Sequence, residues 1–311
     1  MKLILDLDTG IDDALALVYA LGHKDIDLIG VTNVFGNVTV ETANKNTINI
    51  LDLFNRSDVP VFKGAAKPLN KELFMHEKKY QIHGLNGIGN VELGEAKRAV
   101  DKREASDFIV EMARQYKDEL CIVAVAPLTN IANAISKDKE AMESVGKIVI
   151  MGGALTVQGN ATPYAEANIY GDPEAAKIVF ESGVHTTMVG LDVTFKTFLY
   201  AKDIESWKLD NPRAKALYDM AYYYYENEIE GSLGGAMHDP LAVDIALHPE
   251  VLKDSFDMSL TVETDGLSAG RTIGLKERVN DEIKSTTVCI DVDGKDFINR
   301  FVNTINEIIK E

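Results

Sequence analysis

Strand-like and helix-like stretches alternate along most of this chain, and that alternation restricts the folds that it can adopt. The apolar runs KLILDL (2–7), DLIGVTNV (27–34) and LCIVAV (120–125) have the length and composition of buried strands. Between them lie stretches with helical spacing at 11–22 and 39–54. Strands joined through helices favour a parallel sheet covered on both faces. The sequence therefore predicts an α/β fold of Rossmann-like type, with a mostly parallel central sheet and helices on both sides.

The later part of the chain continues this pattern and gives more specific expectations. Pro127 is predicted in the first turn of one helix, and Asp172 is predicted to cap another. The run HTTMVGLDV (185–193) is predicted to be a strand, whereas the preceding segment 155–171 is predicted to be irregular. Because neither a repeat nor a flexible linker interrupts the sequence, we expect one domain over residues 1–311.

The formal net charge of −17 restricts the partners of the chain. Nucleic-acid backbones and anionic membrane surfaces are bound through clustered Lys and Arg, so we expect neither as a partner. The two cysteines, Cys121 and Cys289, lie in apolar runs without a metal-binding spacing, which indicates buried thiols in a reducing compartment. The sequence shows neither a signal-peptide pattern nor an apolar run long enough for a membrane span, so we expect a cytoplasmic protein.

The stretch DLDTGIDDA (6–14) places four carboxylates between the first strand and the first helix, those of Asp6, Asp8, Asp12 and Asp13. Side chains at such a junction lie beyond the carboxyl end of the strand, where α/β sheets bind their ligands. Acids in the first turn of a helix also act as caps and interact favourably with the helix dipole. Capping accounts for one of these acids, whereas four together favour a hard divalent cation bound through oxygen ligands.

One alternative interpretation of this stretch is a Mg²⁺-dependent phosphatase of the haloacid-dehalogenase type, with Asp6 as the nucleophile. The loop of that family normally has the order DxDGT, whereas Thr9 and Gly10 are inverted here. The adjacent acids Asp12 and Asp13 have no role in the phosphatase pattern. A phosphatase of this type would also need a lysine that binds phosphate.

A set of motifs in colinear order over residues 3–245 resembles a different family. DLDTGIDDALAL is similar to the DTDxGxDDAxAL signature of the nucleoside hydrolases, an inosine-uridine preferring family. GVTNVFGNVTVETANKN, VAPLTNIANAI, GNATPYAEANIYGDPEAA and MHDPLAV resemble later segments of the same family. The resemblance implies the nucleoside hydrolase fold and calcium-dependent cleavage of the N-glycosidic bond of ribonucleosides. It also implies a homodimer or homotetramer.

By this resemblance Ca²⁺ is the cofactor, and its protein ligands are Asp8, Asp13, Asp239 and the backbone carbonyl of Val125. The adjacent 2′- and 3′-hydroxyls of ribose supply further oxygen ligands, and the cation lowers the pKa of a bound water. Asp8 is then expected to accept the proton of that water as general base. His238 is expected to protonate the departing base, because histidine donates protons near neutral pH.

The segment GNATPYAEANIYGDP is expected to bind the ribose from the other side. Asn160, Glu166 and Asn168 match family residues that contact its 5′- and 3′-hydroxyls. Glu166 and Asn168 are two positions apart, so an extended backbone is expected to direct both side chains into one crevice.

Four further residues complete the implied substrate site. Asp12 is expected to hydrogen-bond the 2′-hydroxyl, and Asn37 is expected to fix the neighbouring acids. Met151 is expected against the sugar, and His83 near the nucleobase. A non-catalytic calcium-dependent protein that binds ribose or nucleosides is a further alternative, although the general base and general acid favour the enzyme.

The tyrosine run at 222–225 precedes a glycine-containing loop at 231–237. In a helix, Tyr222 and Tyr225 share a face. Most aromatic residues in helices pack in the core, and Tyr225 as a residue that stacks on the base or closes the site is a hypothesis. The glycines of the loop permit it to move.

Overall fold

The computed structural model describes residues 1–70, 81–227 and 234–310, and in this part of the chain eight strands form a central sheet. The strands are β1 (Lys2–Leu7), β2 (Asp27–Asn33), β3 (Val61–Lys63), β4 (Leu120–Ala124), β5 (Lys147–Met151), β6 (Thr186–Val189), β7 (Phe198–Tyr200), β8 (Gly234–Ala236), β9 (Leu252–Met258), β10 (Leu260–Val262), β11 (Thr272–Gly274) and β12 (Thr286–Val292). The helices bounded within the described residues are α1 (Ile11–Leu21), α2 (Val40–Leu53), α3 (Ala105–Tyr116), α4 (Thr129–Lys137), α5 (Lys139–Glu143), α6 (Ala167–Gly171), α7 (Pro173–Glu181), α8 (Leu191–Thr194), α9 (Pro212–Asn227), α10 (His238–Leu247) and α11 (Gly294–Ile308).

The central sheet has the strand order β3-β2-β1-β4-β5-β6-β12-β9. Neighbouring strands are parallel except for β12 and β9, which are antiparallel. The chain moves outward in opposite directions from β1 and from β4, so the order reverses between these two strands. Ligands of α/β sheets bind at this kind of reversal, beyond the carboxyl ends of the strands. The predicted mostly parallel sheet is confirmed.

Successive residues of β1 enter hydrophobic cores on opposite faces of the sheet. Leu3, Leu5 and Leu7 pack with residues of α1, α10 and α11, whereas Ile4 packs with residues of α3, α4 and α7. This alternation is expected for a strand that helices cover on both faces. Helix α1 is itself buried along nearly its whole length. The acids at its start therefore lie inside the protein.

One of the two predicted helix starts is confirmed by the structure, and the other is wrong. The side chain of Asp172 accepts a hydrogen bond from the Ala175 N–H at the start of α7, as predicted. Pro127 instead lies before α4, whose N-cap is Leu128, so its predicted place in the first turn is wrong. A tight turn, in which the Thr129 N–H donates to the Pro127 carbonyl (2.8 Å), delays the start of this helix.

The predicted strand at 185–193 is wrong at its end, because β6 stops at Val189 and α8 follows. The Leu191 N–H donates to the Gly153 carbonyl (2.9 Å), which turns the chain away from the sheet. Segment 155–171 is irregular only in part, since its last five residues form α6.

Cys121 and Cys289 are buried, as predicted. Burial raises the pKa of each thiol to about 12. Thiols that remain protonated are poor nucleophiles, so both behave as small apolar side chains. Across the described ranges, none of the helices has the length and apolar character needed to cross a membrane.

Candidate active site

The predicted site residues lie beyond the carboxyl ends of the central strands. Asp8 follows β1, Val125 follows β4, and Met151 is the last residue of β5. The negative charges of Asp8 and Glu166, from separate segments, both act on Asp239 at the start of α10. The strand reversal between β1 and β4 therefore coincides with a concentration of carboxylates.

Asp13 acts as a capping residue within this concentration. Its Oδ2 accepts a hydrogen bond from the Gly10 N–H (2.8 Å), and its Oδ1 accepts one from the Asp8 N–H (3.0 Å). Both bonds favour the charged carboxylate, but complete burial outweighs them and raises the pKa of Asp13. The capping interpretation of the sequence thus applies to Asp13 without excluding a cation.

The loop between β2 and α2 holds the carboxylate of Asp8. The Asn37 N–H donates to Asp8 Oδ2 (2.5 Å), and Asn37 Nδ2 donates to Asp8 Oδ1 (3.2 Å) and Asp13 Oδ2 (3.1 Å). Gly36 makes this close approach possible, because a Cβ atom there would lie 1.8 Å from Asp8 Oδ2. Asn37 has the contacts expected of a residue that fixes the acids.

Asp12, Asp13 and Asp239 form a group in which one carboxylate oxygen from each lies within 4.8 Å of the others. All three side chains are buried. Burial raises the pKa of Asp239 well above its ordinary value, and the charges of Asp12, Asp13 and Asp8 raise it further. Buried carboxylates that converge in this way fit a hard divalent cation, which would relieve their repulsion.

The composition of this group differs in one respect from the predicted ligand set. Asp12, which was expected to bind the sugar, belongs to it, whereas Asp8 lies beside it in contact with Asp13. The turn that leads into α1 causes this difference, because Asp12 and Asp13 both enter the first helical turn while Asp8 is held by the β2–α2 loop.

Asp6 is completely buried and is not one of these three converging carboxylates. Its Oδ1 accepts bonds from Thr32 Oγ1 (2.5 Å) and Asn130 Nδ2 (2.8 Å). Burial raises the pKa of Asp6 to about 7, although these two bonds lower it. A completely buried carboxyl whose Oδ1 is held by two neutral side chains is poorly placed to attack a phosphate, which argues against the phosphatase alternative. Asn130 was not among the predicted site residues, although it lies in the TNIANAI part of a matched motif.

Asn168 connects the carbonyl of Val125 to Met151. Its Nδ2 donates to the Val125 carbonyl (3.0 Å) and the Met151 carbonyl (3.1 Å), and it contacts Met151 Sδ (3.4 Å). A carbonyl oxygen has two lone pairs, so this bond leaves Val125 with the capacity to bind a cation as well. The two predicted residues and the predicted backbone ligand thus meet in one place.

The extended backbone predicted for Glu166 and Asn168 is present at Glu166 but not at Asn168, which lies in the first turn of α6. Glu166 is the N-cap of α6, and its carboxylate accepts bonds from the N–H groups of Asn168 (2.8 Å), Ile169 (3.1 Å) and Gly153 (3.0 Å). The start of α6, instead of alternation along a strand, therefore determines where the Glu166 and Asn168 side chains lie. Asn160 Oδ1 accepts a bond from the N–H of Ala167, so it holds the same turn.

His238 is the first residue of α10 and is almost completely buried. Its Nδ1 lies 2.8 Å from Thr194 Oγ1 at the end of α8. The ring of Phe195 meets the imidazole edge to face at 5.6 Å. Thr194 was not among the predicted site residues, because its contact with His238 joins two segments that are distant in the sequence.

His83 and a tyrosine of α9 lie beside Asp12. The Ile11 N–H donates to His83 Nδ1 (3.2 Å), which is 3.9 Å from Asp12 Oδ1. The hydroxyl of Tyr224 donates to Asp12 Oδ2 (3.4 Å). His83 therefore lies at the start of α1, where it contacts the acid that was expected to bind the 2′-hydroxyl.

The shared face of Tyr222 and Tyr225 is confirmed, with ring centroids 6.0 Å apart. Tyr222 is exposed, however, and Tyr224 on another face is the buried tyrosine that reaches the acids. Residues 231–233 of the predicted mobile loop lie outside the described residues.

Comparisons with known proteins identify the family of the chain. A family model described as inosine-uridine preferring nucleoside hydrolase matches residues 3–299. Uridine nucleosidase 1 from Arabidopsis thaliana is 37% identical over 281 residues, which are 88% of this chain and 83% of that protein. The pyrimidine-specific ribonucleoside hydrolase RihA from Escherichia coli K12 is 36% identical over 304 residues, 96% of each chain.

Solved structures give the same result. A purine-preferring ribonucleoside hydrolase from Gardnerella vaginalis superposes with a TM-score of 0.97 at 41% identity, over 100% of this chain and 99% of that one. The plant nucleoside hydrolase PpNRh1 superposes with a TM-score of 0.91 at 32% identity, over 98% of each chain. The chain belongs to the inosine-uridine preferring nucleoside hydrolase family.

Proposed function

We propose that this nucleoside hydrolase depends on Ca²⁺ and that the carboxylates after β1 and at the start of α10 form its active site. The main support is the convergence of Asp12, Asp13 and Asp239, which are buried together. Burial raises the pKa of Asp239, and the charges of Asp12 and Asp13 raise it further. A hard cation that accepts oxygen ligands would stabilise the ionised state of such a group.

The residues that would hold the ion are Asp8, Asp13, Asp239 and the carbonyl of Val125, with Asp12 within the same reach. When bound, Ca²⁺ supplies a positive centre that orients the vicinal hydroxyls of ribose and acidifies water. These oxygen donors come from the ends of β1 and β4 and from the start of α10, and they meet at the strand reversal. Such a set fits a cation that takes 6–8 oxygen ligands.

Asp8 is the general base in this proposal. Its two oxygens are fixed by the backbone and side chain of Asn37, so its orientation is set before substrate arrives. A carboxylate that is fixed in this way can take a proton from an attacking water without further reorganisation. The neighbouring acids stabilise the positive charge that develops on the ribose as the glycosidic bond breaks.

Asn160, Glu166, Asn168 and Met151 form the sugar wall of the proposed site. Hydrogen bonds of the Glu166 carboxylate to three backbone N–H groups make the α6 turn rigid. Asn168 adds a direct connection from this wall to Val125. Rigid polar groups on one side of the sugar favour a single binding orientation, which raises the rate of the subsequent step.

The nucleobase would bind on the side of the site opposite the sugar wall. There His238 would donate a proton to the leaving group, and His83 would lie near the base. Two relatives are named for pyrimidine nucleosides and one solved structure for purine nucleosides. We therefore propose ribonucleosides of both base classes as substrates.

The test is a steady-state assay with inosine and uridine before and after removal of metal with a chelator. We expect hydrolysis to be lost on chelation and to return with Ca²⁺, and Ca²⁺ binding to be visible by calorimetry in wild type but not in Asp239→Asn. Full activity after complete removal of metal would refute the proposal. Calorimetric binding of Ca²⁺ and nucleoside without release of base would instead identify the non-catalytic binding protein.

A further inference from the structure

We propose that Thr194 is a positioning residue for His238, and that its hydroxyl orients the imidazole so that the proton passed to the leaving base comes from Nε2. This inference rests on the proposed function, which makes His238 the general acid. It adds a residue to which neither the motifs nor the comparisons assign a role.

The contact between the two side chains is short and excluded from solvent. Thr194 Oγ1 lies 2.8 Å from His238 Nδ1, Thr194 is completely buried and His238 is 5% exposed. Phe195, the next residue, packs against the imidazole at 68° between ring planes. Two consecutive residues therefore restrict the ring, one through a hydrogen bond and one through its aromatic edge.

Helix α8, which ends with Thr194, is itself held firmly in place. The carboxylate of Asp192 accepts hydrogen bonds from the N–H groups of Leu155 (3.0 Å) and Thr156 (2.8 Å). On the other side, the Met237 N–H donates to the Thr197 carbonyl (2.8 Å). The residue before His238 is thus tied to the segment after α8, which fixes the distance between Thr194 and the imidazole.

A hydroxyl group is suited to this role because it both donates and accepts hydrogen bonds. As the glycosidic C–N bond breaks, its electron pair passes to the base nitrogen, which takes the proton of Nε2. The attacking water bonds to the anomeric carbon and gives its proton to Asp8. Throughout, Nδ1 of His238 keeps its contact with the hydroxyl of Thr194 (2.8 Å).

The experiment compares two hydroxyl variants on two kinds of substrate. Thr194→Val has nearly the same shape but lacks the hydroxyl, whereas Thr194→Ser retains it. With inosine, whose base leaves only with a proton, we expect kcat of Thr194→Val to fall by about 10-fold or more with KM nearly unchanged. With 4-nitrophenyl riboside, whose leaving group needs no proton, we expect a nearly normal rate, and Thr194→Ser should restore hydrolysis of inosine.

Thr186→Val is the matched control, because Thr186 is equally buried and its hydroxyl contacts the hydroxyl of Thr286 (3.1 Å) at the start of β6. It removes a buried threonine hydroxyl without touching α8 or the contact with His238. We expect this variant to hydrolyse both substrates at nearly normal rates. Thr194→Ala provides the same comparison as the valine variant if valine prevents folding.

Equal losses on both substrates in Thr194→Val would overturn the proposal, since they would indicate a structural role alone. His238→Ala separates this failure from that of the proposed function. If His238→Ala does not discriminate between the substrates, the general acid is misassigned. If His238→Ala discriminates but Thr194→Val does not, only the positioning role fails. The double variant should be no slower on inosine than His238→Ala, because both changes remove one function.

Discussion

Asp13 illustrates how single residues of this site combine structural and chemical roles. Its carboxylate accepts hydrogen bonds from two backbone N–H groups near the start of α1. One of its oxygens also lies close to carboxylate oxygens of Asp12 and Asp239. Substitution of Asp13 would therefore change the helix start and the carboxylate group together. Asp8 is a better residue than Asp13 for testing the chemistry, because the β2–α2 loop holds its side chain and its substitution leaves the helix cap in place.

Asp8→Asn is expected to abolish turnover and to leave the fold intact. The amide retains an oxygen that can accept the Asn37 N–H, but it cannot take a proton from water. We expect kcat on inosine to fall by about 10²–10⁴-fold, the usual contribution of a general base. The measurement is kcat together with the thermal midpoint, and a near-normal rate in a folded variant would show that another residue is the base.

The sequence was sufficient to predict which residue types belong to the site, but it could not reveal the groups that hold them. The aspartates could be predicted because they are close together in the chain and match a motif, and Asn37 could be predicted because it also lies in a matched motif. From distant segments, Tyr224 and Thr194 contact site residues and Asn130 contacts the buried Asp6, so only the packed fold defines their roles. The role of Gly36 was not predictable for the same reason, because only the fold shows that a Cβ atom at this position would collide with Asp8.

At the scale of elements, α1 and α10 each begin at the site and are bonded to each other away from it. The Tyr19 hydroxyl of α1 donates to Asp244 Oδ1 of α10 (2.6 Å). Arg300 of α11 donates to both oxygens of Asp244, at 2.8 and 2.9 Å. Asp244 is completely buried, so this contact joins three helices in the interior.

Arg300→Met is expected to destabilise the protein by about 3 kcal/mol, because it leaves the buried carboxylate of Asp244 without its positive partner. Tyr19→Phe removes one neutral donor from the same carboxylate and is expected to cost only about 1 kcal/mol. Urea unfolding of both variants measures the difference. A loss in Arg300→Met no larger than that in Tyr19→Phe would show that the ion pair adds little.

The end of α1 also predicts a dependence of stability on pH. Burial lowers the pKa of His23 below its ordinary value of 6.5, and the charge of nearby His248 lowers it further. The unfolded chain therefore binds a proton at His23 more readily, so this stabilisation is complete above about pH 6.5 and declines as the pH falls below it.

His23→Gln is accordingly expected to lose less unfolding free energy than wild type when the pH is lowered from about 7.5 to about 5.5. The measurement is urea unfolding at both values. His185→Gln is the control, because His185 is exposed. Parallel pH dependence in His23→Gln and wild type would contradict the assignment.

Element boundaries were predictable where a local signal determines them. The stop of α1 before Gly22 and the Asp172 cap of α7 follow from residues at the boundary itself. The turn of the chain into α8 instead depends on the Gly153 carbonyl, which comes from another strand end. A contact of that kind has no signature in the sequence near residue 191.

For the molecule as a whole, the alternation of strands and helices was enough to predict a mostly parallel sheet, but the order of its strands was not predictable. The antiparallel β9 at one edge and the reversal between β1 and β4 result from connections that cross the sheet. The reversal is nevertheless the feature that brings acids from the first strand to the carbonyl after the fourth.

The net charge of −17 and the proposed ion give a prediction for global stability. Screening by any salt should raise the thermal midpoint modestly, because it weakens repulsion among like charges. Ca²⁺ should raise it further at equal ionic strength, by about 2.7 kcal/mol of stability at 100 times its Kd. The comparison of CaCl₂ with NaCl in wild type and Asp239→Asn isolates the specific effect, and equal responses to both salts in wild type would contradict it.

His238 and Asp239 are neighbours in the chain at the first turn of α10. In the proposed roles, the group that releases the base and the group that anchors the sugar are separated by a single peptide unit. Covalent geometry therefore sets the span between the two halves of the substrate, whatever the surrounding loops do. Loop changes could alter which bases are accepted, while the reach across the scissile bond would stay the same.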